Sequence, residues 1–339
     1  MDLPIDHSVR EEVTGPIIDA LHKDVGTIKK VLKSGIVFEF KYRSKIARDF
    51  VMSQEVKPDH VWEPQTTKLL LYLTTNAKHV VIGGAYFGDQ AIMVAKKLVQ
   101  SGGICHAFEP NKEQFAMLQR NAINNRLSNI VFNCIGLWEN DKTTLRLTDE
   151  SDDSTASSDV VVQKLSQLDD STFPSISLNT YGTQHNIDRI DLVMLDIEGG
   201  ELLALKGSYK YLSNPSDSAP NIIFEIHRRY TDWSNGLENT DIVKFLLSFG
   251  YHVFAIRDFH SNFSTSDQPI ELTSPERTYL EGPPHGFNML AVKNLEIIEN
   301  DFFRICYDVS PKLLLHKDPA LHYPITELSI KNKKGNHKE

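Results

Sequence analysis

The run Val80-Val81-Ile82-Gly83-Gly84-Ala85-Tyr86-Phe87-Gly88-Asp89 constrains the fold of this chain most. Apolar, mostly β-branched residues lead into a glycine-rich turn, and a helical apolar pattern follows over Asp89–Gln100. A strand, a tight turn and a helix in that order open a βαβ unit, in which helices cover a parallel sheet. The pattern recurs downstream. Strands are predicted at His79–Gly83, Ile104–Phe108, Ile130–Ile135, Ile190–Leu195 and Ile222–Ile226. Helices are predicted at Pro64–Thr75, Asn111–Asn124, Glu201–Leu212 and Asp241–Phe249. Two last strands, Val253–Ile256 and Phe287–Val292, have no clear helix between them and are predicted to pair antiparallel. The expected fold is therefore α/β and Rossmann-like. Its sheet has seven strands, mostly parallel, and ends in an antiparallel hairpin.

Three regions follow. Residues 1–60 form an N-terminal extension, with a helix predicted over Val13–Leu32 and a short strand or hairpin in Gly35–Val51. Residues 61–295 form the α/β domain and 296–339 a C-terminal extension. Inside the domain, residues 139–188 break the alternation with an acidic, serine-rich stretch, read either as a solvated insertion or as a wall over the site. The extension packs either on the core or on a second copy of the chain.

Composition narrows the classes of function. The formal net charge is −9 and basic residues cluster only in the tail at Lys331, Lys333 and Lys334, which argues against a nucleic-acid partner. No apolar run approaches the roughly 20 residues that span a bilayer, and the N-terminus lacks the apolar core of a secretory signal. Cys105, Cys134 and Cys306 are widely spaced, without metal or redox spacing. A cytoplasmic location, no membrane and no metal centre are the expectations.

Four motifs carry candidate chemistry. Gly84 and Gly88 let the backbone approach a ligand, with a helix N-terminus behind them. Their G-G-x-x-x-G spacing departs from the dinucleotide G-x-G-x-x-G and speaks against an NAD oxidoreductase. Glu109 ends the second strand 21 residues after Gly88, where an acid meets ribose hydroxyls, although capping of the next helix would also explain Glu109 and Asn111. Asp196 and Glu198 follow the fourth strand, at the edge where ligands sit in open α/β sheets; Glu198 could also cap the helix from Glu201. Glu225 and His227 alternate onto one face at the end of the fifth strand, and His227 is a natural general base.

Taken together, these motifs resemble the FkbM family of S-adenosylmethionine-dependent methyltransferases. The resemblance covers roughly residues 61–293 and is carried by Asp191–Leu205, Gly84-Ala85 with Gly88, Phe108-Glu109-Pro110-Asn111, Glu225-Ile226-His227 and His285-Gly286-Phe287-Asn288. It implies a class I methyltransferase fold and S-adenosylmethionine as cofactor. Its substrate would be a small hydroxylated molecule, often a sugar or secondary metabolite. Gly84, Ala85, Tyr86, Gly88, Glu109, Pro110, Leu137, Asp196 and Glu198 are implied to hold the cofactor. His227 is implied as the base, oriented by Asp196 or Glu225. The family's first strand usually ends in an acid, as D-V-G-A-N-x-G, whereas here Ile82 and Tyr86 stand at the Asp and Asn positions. Glu63, just before the preceding helix, is the expected substitute carboxylate. Two alternatives follow from the same residues: a divalent-metal-assisted O-methyltransferase using Asp196, Glu198, Glu225 and His227, or a non-catalytic binding protein. In the 258–286 loop, Arg257, His260, Arg277 and His285 either face a hydroxylated substrate or lie on the surface.

Overall fold

A computed structural model describes residues 13–42, 44–148, 159–161, 172–259, 261–265, 267–280 and 286–313. Helix α1 spans Gly15–His22, with Pro16 in its first turn. An antiparallel hairpin follows, β1 (Ile28–Val31) with β2 (Val37–Phe40). The helix expected over Val13–Leu32 therefore ends ten residues early. Val25, Ile28, Val31 and Leu32 satisfy helical spacing, but Gly26 interrupts it and pairing with β2 takes the second half into a strand. Helix α2 (Lys45–Val51), capped by Ser44, completes the extension.

The extension packs on the core. β2 pairs with β1 along one edge, and along the other two asparagines of a helix take the place of a strand. Asn121 accepts from Glu39 N at 2.7 Å and donates to Glu39 O and Phe87 O, both at 2.8 Å. One turn later Asn125 accepts from Val37 N and donates to Val37 O. An i, i+4 pair on one helix face thus mimics a strand edge and satisfies backbone groups buried beneath it.

The core begins with α3 (Pro64–Thr74), β3 (His79–Gly83), α4 (Ala91–Leu98), β4 (Ile104–Phe108), α5 (Lys112–Asn124) and β5 (Ile130–Asn133). An inserted four-stranded sheet comes next, β6 (Gly136–Leu137), β7 (Thr144–Thr148), β8 (Asp159–Val161) and β9 (Thr172–Ile176), in the order β6-β9-β7-β8. The 139–188 region is therefore folded where it is described, and it ends in α6 (Leu178–Gln184). The remainder is β10 (Leu192–Leu195), α7 (Glu201–Lys206), α8 (Tyr209–Leu212), β11 (Asn221–His227), α9 (Asp241–Ser248), β12 (His252–Arg257), β13 (Ile270–Thr273), β14 (Gly286–Val292) and β15 (Phe303–Cys306).

The main sheet has nine strands in the order β15-β13-β12-β14-β11-β10-β3-β4-β5. β5, β4, β3, β10 and β11 run parallel; β14 inserts antiparallel between β11 and β12. The expected strands are all present, and two more lie beyond them. β13 comes from the 258–286 segment, read as loop, and β15 from the C-terminal extension. Both are only four residues long, too short for periodicity to stand out.

Strand alternation sorts the core into two layers. Val80, Ile82 and Met194 face α3–α5 and the N-terminal hairpin, while Val81, Val193, Leu195 and Phe224 face α6–α9. Among the described residues no helix is long and apolar enough to cross a membrane. The three cysteines are free, with Cys134 exposed at the end of β5 and Cys105 and Cys306 buried.

Candidate functional site

The carboxyl ends of β3, β4, β10 and β11 converge on one edge. There the glycine turn crosses from β3 to α4. Gly84 has φ +76°, and a Cβ on it would lie 1.7 Å from the carbonyl oxygen of Asp196. Only glycine lets this turn rest on the chain after β10. Gly84 N and Ala85 N both donate to Phe108 O, and Tyr86 N donates to Glu109 Oε2 at 2.8 Å. Tyr86 itself holds φ 48°, left-handed for a non-glycine residue, and its hydroxyl donates to Ser44 Oγ at 2.9 Å.

Glu109 is buried, and its second oxygen accepts from Asn111 N at 2.8 Å. Burial pushes its carboxyl up to about 7, against the pull of those two N–H groups. Asn111 caps α5 by accepting from Glu113 N and Gln114 N. Capping thus belongs to Asn111, and Glu109 ties the glycine turn to the end of β4. Pro110 and Leu137 line a cavity of about 20 Å³ together with Gly84, Trp138, Leu145 and Phe173. The last two come from the inserted sheet, which closes this apolar slot.

After β10, Asp196 N donates to Gly83 O, and Glu198 (φ 55°) and Gly199 (φ 96°) form a left-handed turn. Glu198 does not cap the next helix. Gly200 is the cap residue, and Glu201 Oε1 accepts from Ile197 N and Gly199 N and holds the turn. Asp196, Glu198 and Glu225 each present a carboxylate oxygen within 4.8 Å of the others, close enough to share a hard cation. Asp196 and Glu225 are thus close neighbours across the ends of two adjacent strands. Burial comes first in raising the Glu225 carboxyl well above its ordinary value, followed by repulsion from Asp196, Glu198 and Glu201.

His227 lies beside Glu225 as alternation predicts. A Cβ on Gly286 would meet His227 Cδ2 at 2.5 Å and Glu225 Oε1 at 2.6 Å, so both side chains flank that glycine. His227 Nδ1 accepts from Arg229 N at 3.0 Å, which assigns the ring proton of the neutral form to Nε2.

Glu63 reaches the same edge from the N-cap of α3, with φ 46° and 5% exposure. Its Oε2 accepts from Asn288 Nδ2 at 2.6 Å. Asn288 faces Glu225 in the β11–β14 register, and its buried Oδ1 accepts no hydrogen bond from the described residues. Ile82 is 1% exposed inside the sheet and takes no part.

Three further residues belong here that the motifs did not single out. Asp89 is buried in the first turn after Gly88; burial, then Asp196, raises its carboxyl to about 7. Asp258, at the end of β12, accepts from Gln65 N (2.9 Å) and Thr66 N (2.7 Å) and so caps α3. Lys312, in the C-terminal segment, is 1% exposed. The only available signal for these was an acid directly after a glycine turn or a strand. Lys312 gave none. Arg257 is fully buried on Glu271 and Ser310 O, and Arg277 bonds Asp308 on the surface, so neither faces the site. His260 and His285 lie outside the described residues.

The arrangement offers a glycine turn that a ligand can approach closely, carboxylates for hydroxyls and a cationic group, and an orphan acceptor for a donor. That donor set fits S-adenosylmethionine, which carries a carboxylate, ribose hydroxyls, an ammonium and a sulfonium.

The sequence matches the family described as Methyltransferase FkbM domain over residues 83–253, half of the chain. No curated protein matches it. Among solved structures it is similar to Methyltransferase FkbM from Methylobacillus flagellatus KT, at 17% identity over 64% of this chain and 43% of that one, with a TM-score of 0.37. This chain thus spans less than half the length of that protein. It is also similar to M. jannaschii TYW2 in complex with AdoMet, at 12% identity over 78% and 84% of the two chains, TM-score 0.36. A Pyrococcus abyssi tRNA (uracil-54, C5)-methyltransferase in complex with S-adenosyl-L-homocysteine matches at 11% identity over 78% and 43%, TM-score 0.35.

Proposed function

This chain belongs to the FkbM methyltransferase family, whose methyl donor is S-adenosylmethionine, and on that premise we propose that it methylates a hydroxyl of a small molecule, a sugar or a secondary metabolite. The observation that carries the reading is the pair of neighbouring carboxyl groups, Asp196 and Glu225, with oxygens within 4.8 Å of each other beside His227. A hydroxyl acceptor must lose a proton, and these groups can receive it.

S-adenosylmethionine, when bound, supplies a methyl group already activated on a sulfonium. The chain's own share is positioning and proton removal. The turn from Gly84 to Gly88 would let the methionine end lie close against the backbone, and Glu109 would meet the ribose hydroxyls. Pro110 and Leu137 would form apolar walls. Glu63 and Asn288 Oδ1 would take the ammonium in place of the acid missing at Ile82. With its Nδ1 lone pair engaged by Arg229, His227 would orient the acceptor through Nε2–H, and the ionised member of the Asp196–Glu225 pair would take the proton. Base and orienting group thus exchange the roles first expected of them.

Calorimetric titration with S-adenosylhomocysteine, with NAD as control, tests the cofactor. Micromolar binding of the first alone is expected; binding of neither would turn the reading to a non-catalytic protein. A screen of sugar and metabolite hydroxyls then tests the acceptor. A second reading, metal assistance, is favoured by the spacing of Asp196, Glu198 and Glu225. Loss of turnover in a chelator, restored by Mg²⁺ or Mn²⁺, would establish it.

A further inference from the structure

The matched domain ends at residue 253, yet the site does not. Segment 308–313 returns to it after β15 and is fastened at several points. Tyr279 N donates to Val309 O and Asp308 N to Arg277 O. The buried Arg257 donates through Nε to Ser310 O at 2.8 Å. Asp258 N donates to Pro311 O, and Leu313 N returns to Asp258 O, a parallel bridge with Lys312 opposite Asp258. Lys312 N is held by Ser310 Oγ. This backbone clamp delivers a lysine side chain, 1% exposed, to the place where Glu63, Asp258 and Glu225 meet.

We propose that Lys312 is a positioning residue of this site: its ammonium is the internal counter-cation that balances Glu63, Asp258 and Glu225 and fixes their carboxyl groups for the cofactor.

A buried ammonium is costly without partners, and a buried cluster of acids is costly without a cation. The two demands meet here. Desolvation pulls the Lys312 ammonium down to about 7, and Glu63, Asp258 and Glu225 act in the opposite sense; Lys45 of α2 adds repulsion. From the other side, burial raises the Glu63 carboxyl to about 8 and that of Asp196 to about 6, and Lys312 works against both rises. The charged groups that the surrounding elements bring to it are therefore Lys45 (α2), Glu63 (α3), Asp196 (β10), Glu225 (β11) and Asp258 (β12). Without Lys312 the buried Glu63 carboxyl would lose the cation acting on it and would hold its proton more tightly. A protonated carboxyl loses the charge that would attract the cofactor's ammonium.

The proposal rests on the methyl-transfer reading but can fail separately from it. The test uses the full chain carrying Lys312→Ala, with ethylammonium chloride added and potassium chloride as ionic control. In thermal unfolding, the variant is expected to melt below the parent and to be raised by ethylammonium but not by potassium, while the parent responds to neither. In calorimetry, the variant is expected to bind S-adenosylhomocysteine at least tenfold more weakly, and ethylammonium to restore part of that loss. Lys312→Met, which keeps the side-chain stem and leaves no cavity, should show the loss without the rescue. Parental affinity in Lys312→Met overturns the proposal, as does a fold defect in Lys312→Ala that ethylammonium does not correct. If the parent itself binds no S-adenosylhomocysteine, the functional reading falls, and the melting series alone decides whether Lys312 is the cluster's cation.

Discussion

At Asp196 and Glu225, two partly buried carboxyl groups lie within 4.8 Å of each other, and the charge of Asp196 adds to burial in raising the Glu225 carboxyl. A carboxylate whose neighbour resists ionisation is a better proton acceptor than an isolated one, and such a pair can receive a proton from an acceptor hydroxyl. Glu225→Gln removes that capacity with little change in shape. Turnover is expected to fall roughly 10²–10⁴-fold, the span of general-base effects, while S-adenosylhomocysteine affinity changes little. Unchanged kcat with the true acceptor would remove Glu225 from the mechanism. Glu63→Gln should act on binding instead, weakening S-adenosylhomocysteine because Glu63 stands where Ile82 supplies no carboxylate; parental affinity would dismiss that role. Alternation along β11 made Glu225 and His227 legible in the sequence, and strand order made Asp196 legible, because those positions depend on local periods. Asp258 and Lys312 were not. Their place depends on which strands become neighbours across the sheet, and no local pattern encodes that.

At the scale of elements, Asn121 of α5 joins parts of the fold that are distant in sequence. Asn121 is fully buried and serves three backbone groups, at Glu39 N, Glu39 O and Phe87 O. Phe87 belongs to the glycine turn, so one side chain couples the N-terminal hairpin to that turn. Asn121→Ala leaves those groups unpaired and should cost about 2–4 kcal/mol of stability, within the range for buried unsatisfied polar groups. A urea midpoint equal to that of the parent would refute this account. The sequence showed the hairpin only in part. Residues 28–32 carry apolar spacing compatible with helix or strand, and pairing with Val37–Phe40 decided between them. The inserted sheet was hidden for another reason: its strands are two to five residues long and separated by polar stretches.

Across the whole molecule, buried acids gathered at one sheet edge set the dependence of stability on pH. Burial raises Asp89, Glu109 and Glu201 to about 7 each. A raised carboxyl favours folding fully below its unfolded value near 4, and that contribution is lost as pH climbs through its folded value. The ligand-free protein should therefore lose stability between pH 5 and pH 7. His106, lowered to about 3 by burial and by His79, opposes the trend with a single group up to about pH 6.5. Urea midpoints that rise across that window would show that the cluster is better solvated than its burial indicates. The parallel core and its closing antiparallel strand were readable at this scale, since strand–helix alternation dictates them. The site also draws on positions 249 residues apart, Glu63 and Lys312. On the ribosome the acids of α3, β10 and β11 are made before their cation is. A nascent chain can lay down the parallel sheet early, but it becomes competent for its cofactor only when the segment after β15 has left the exit tunnel and docked.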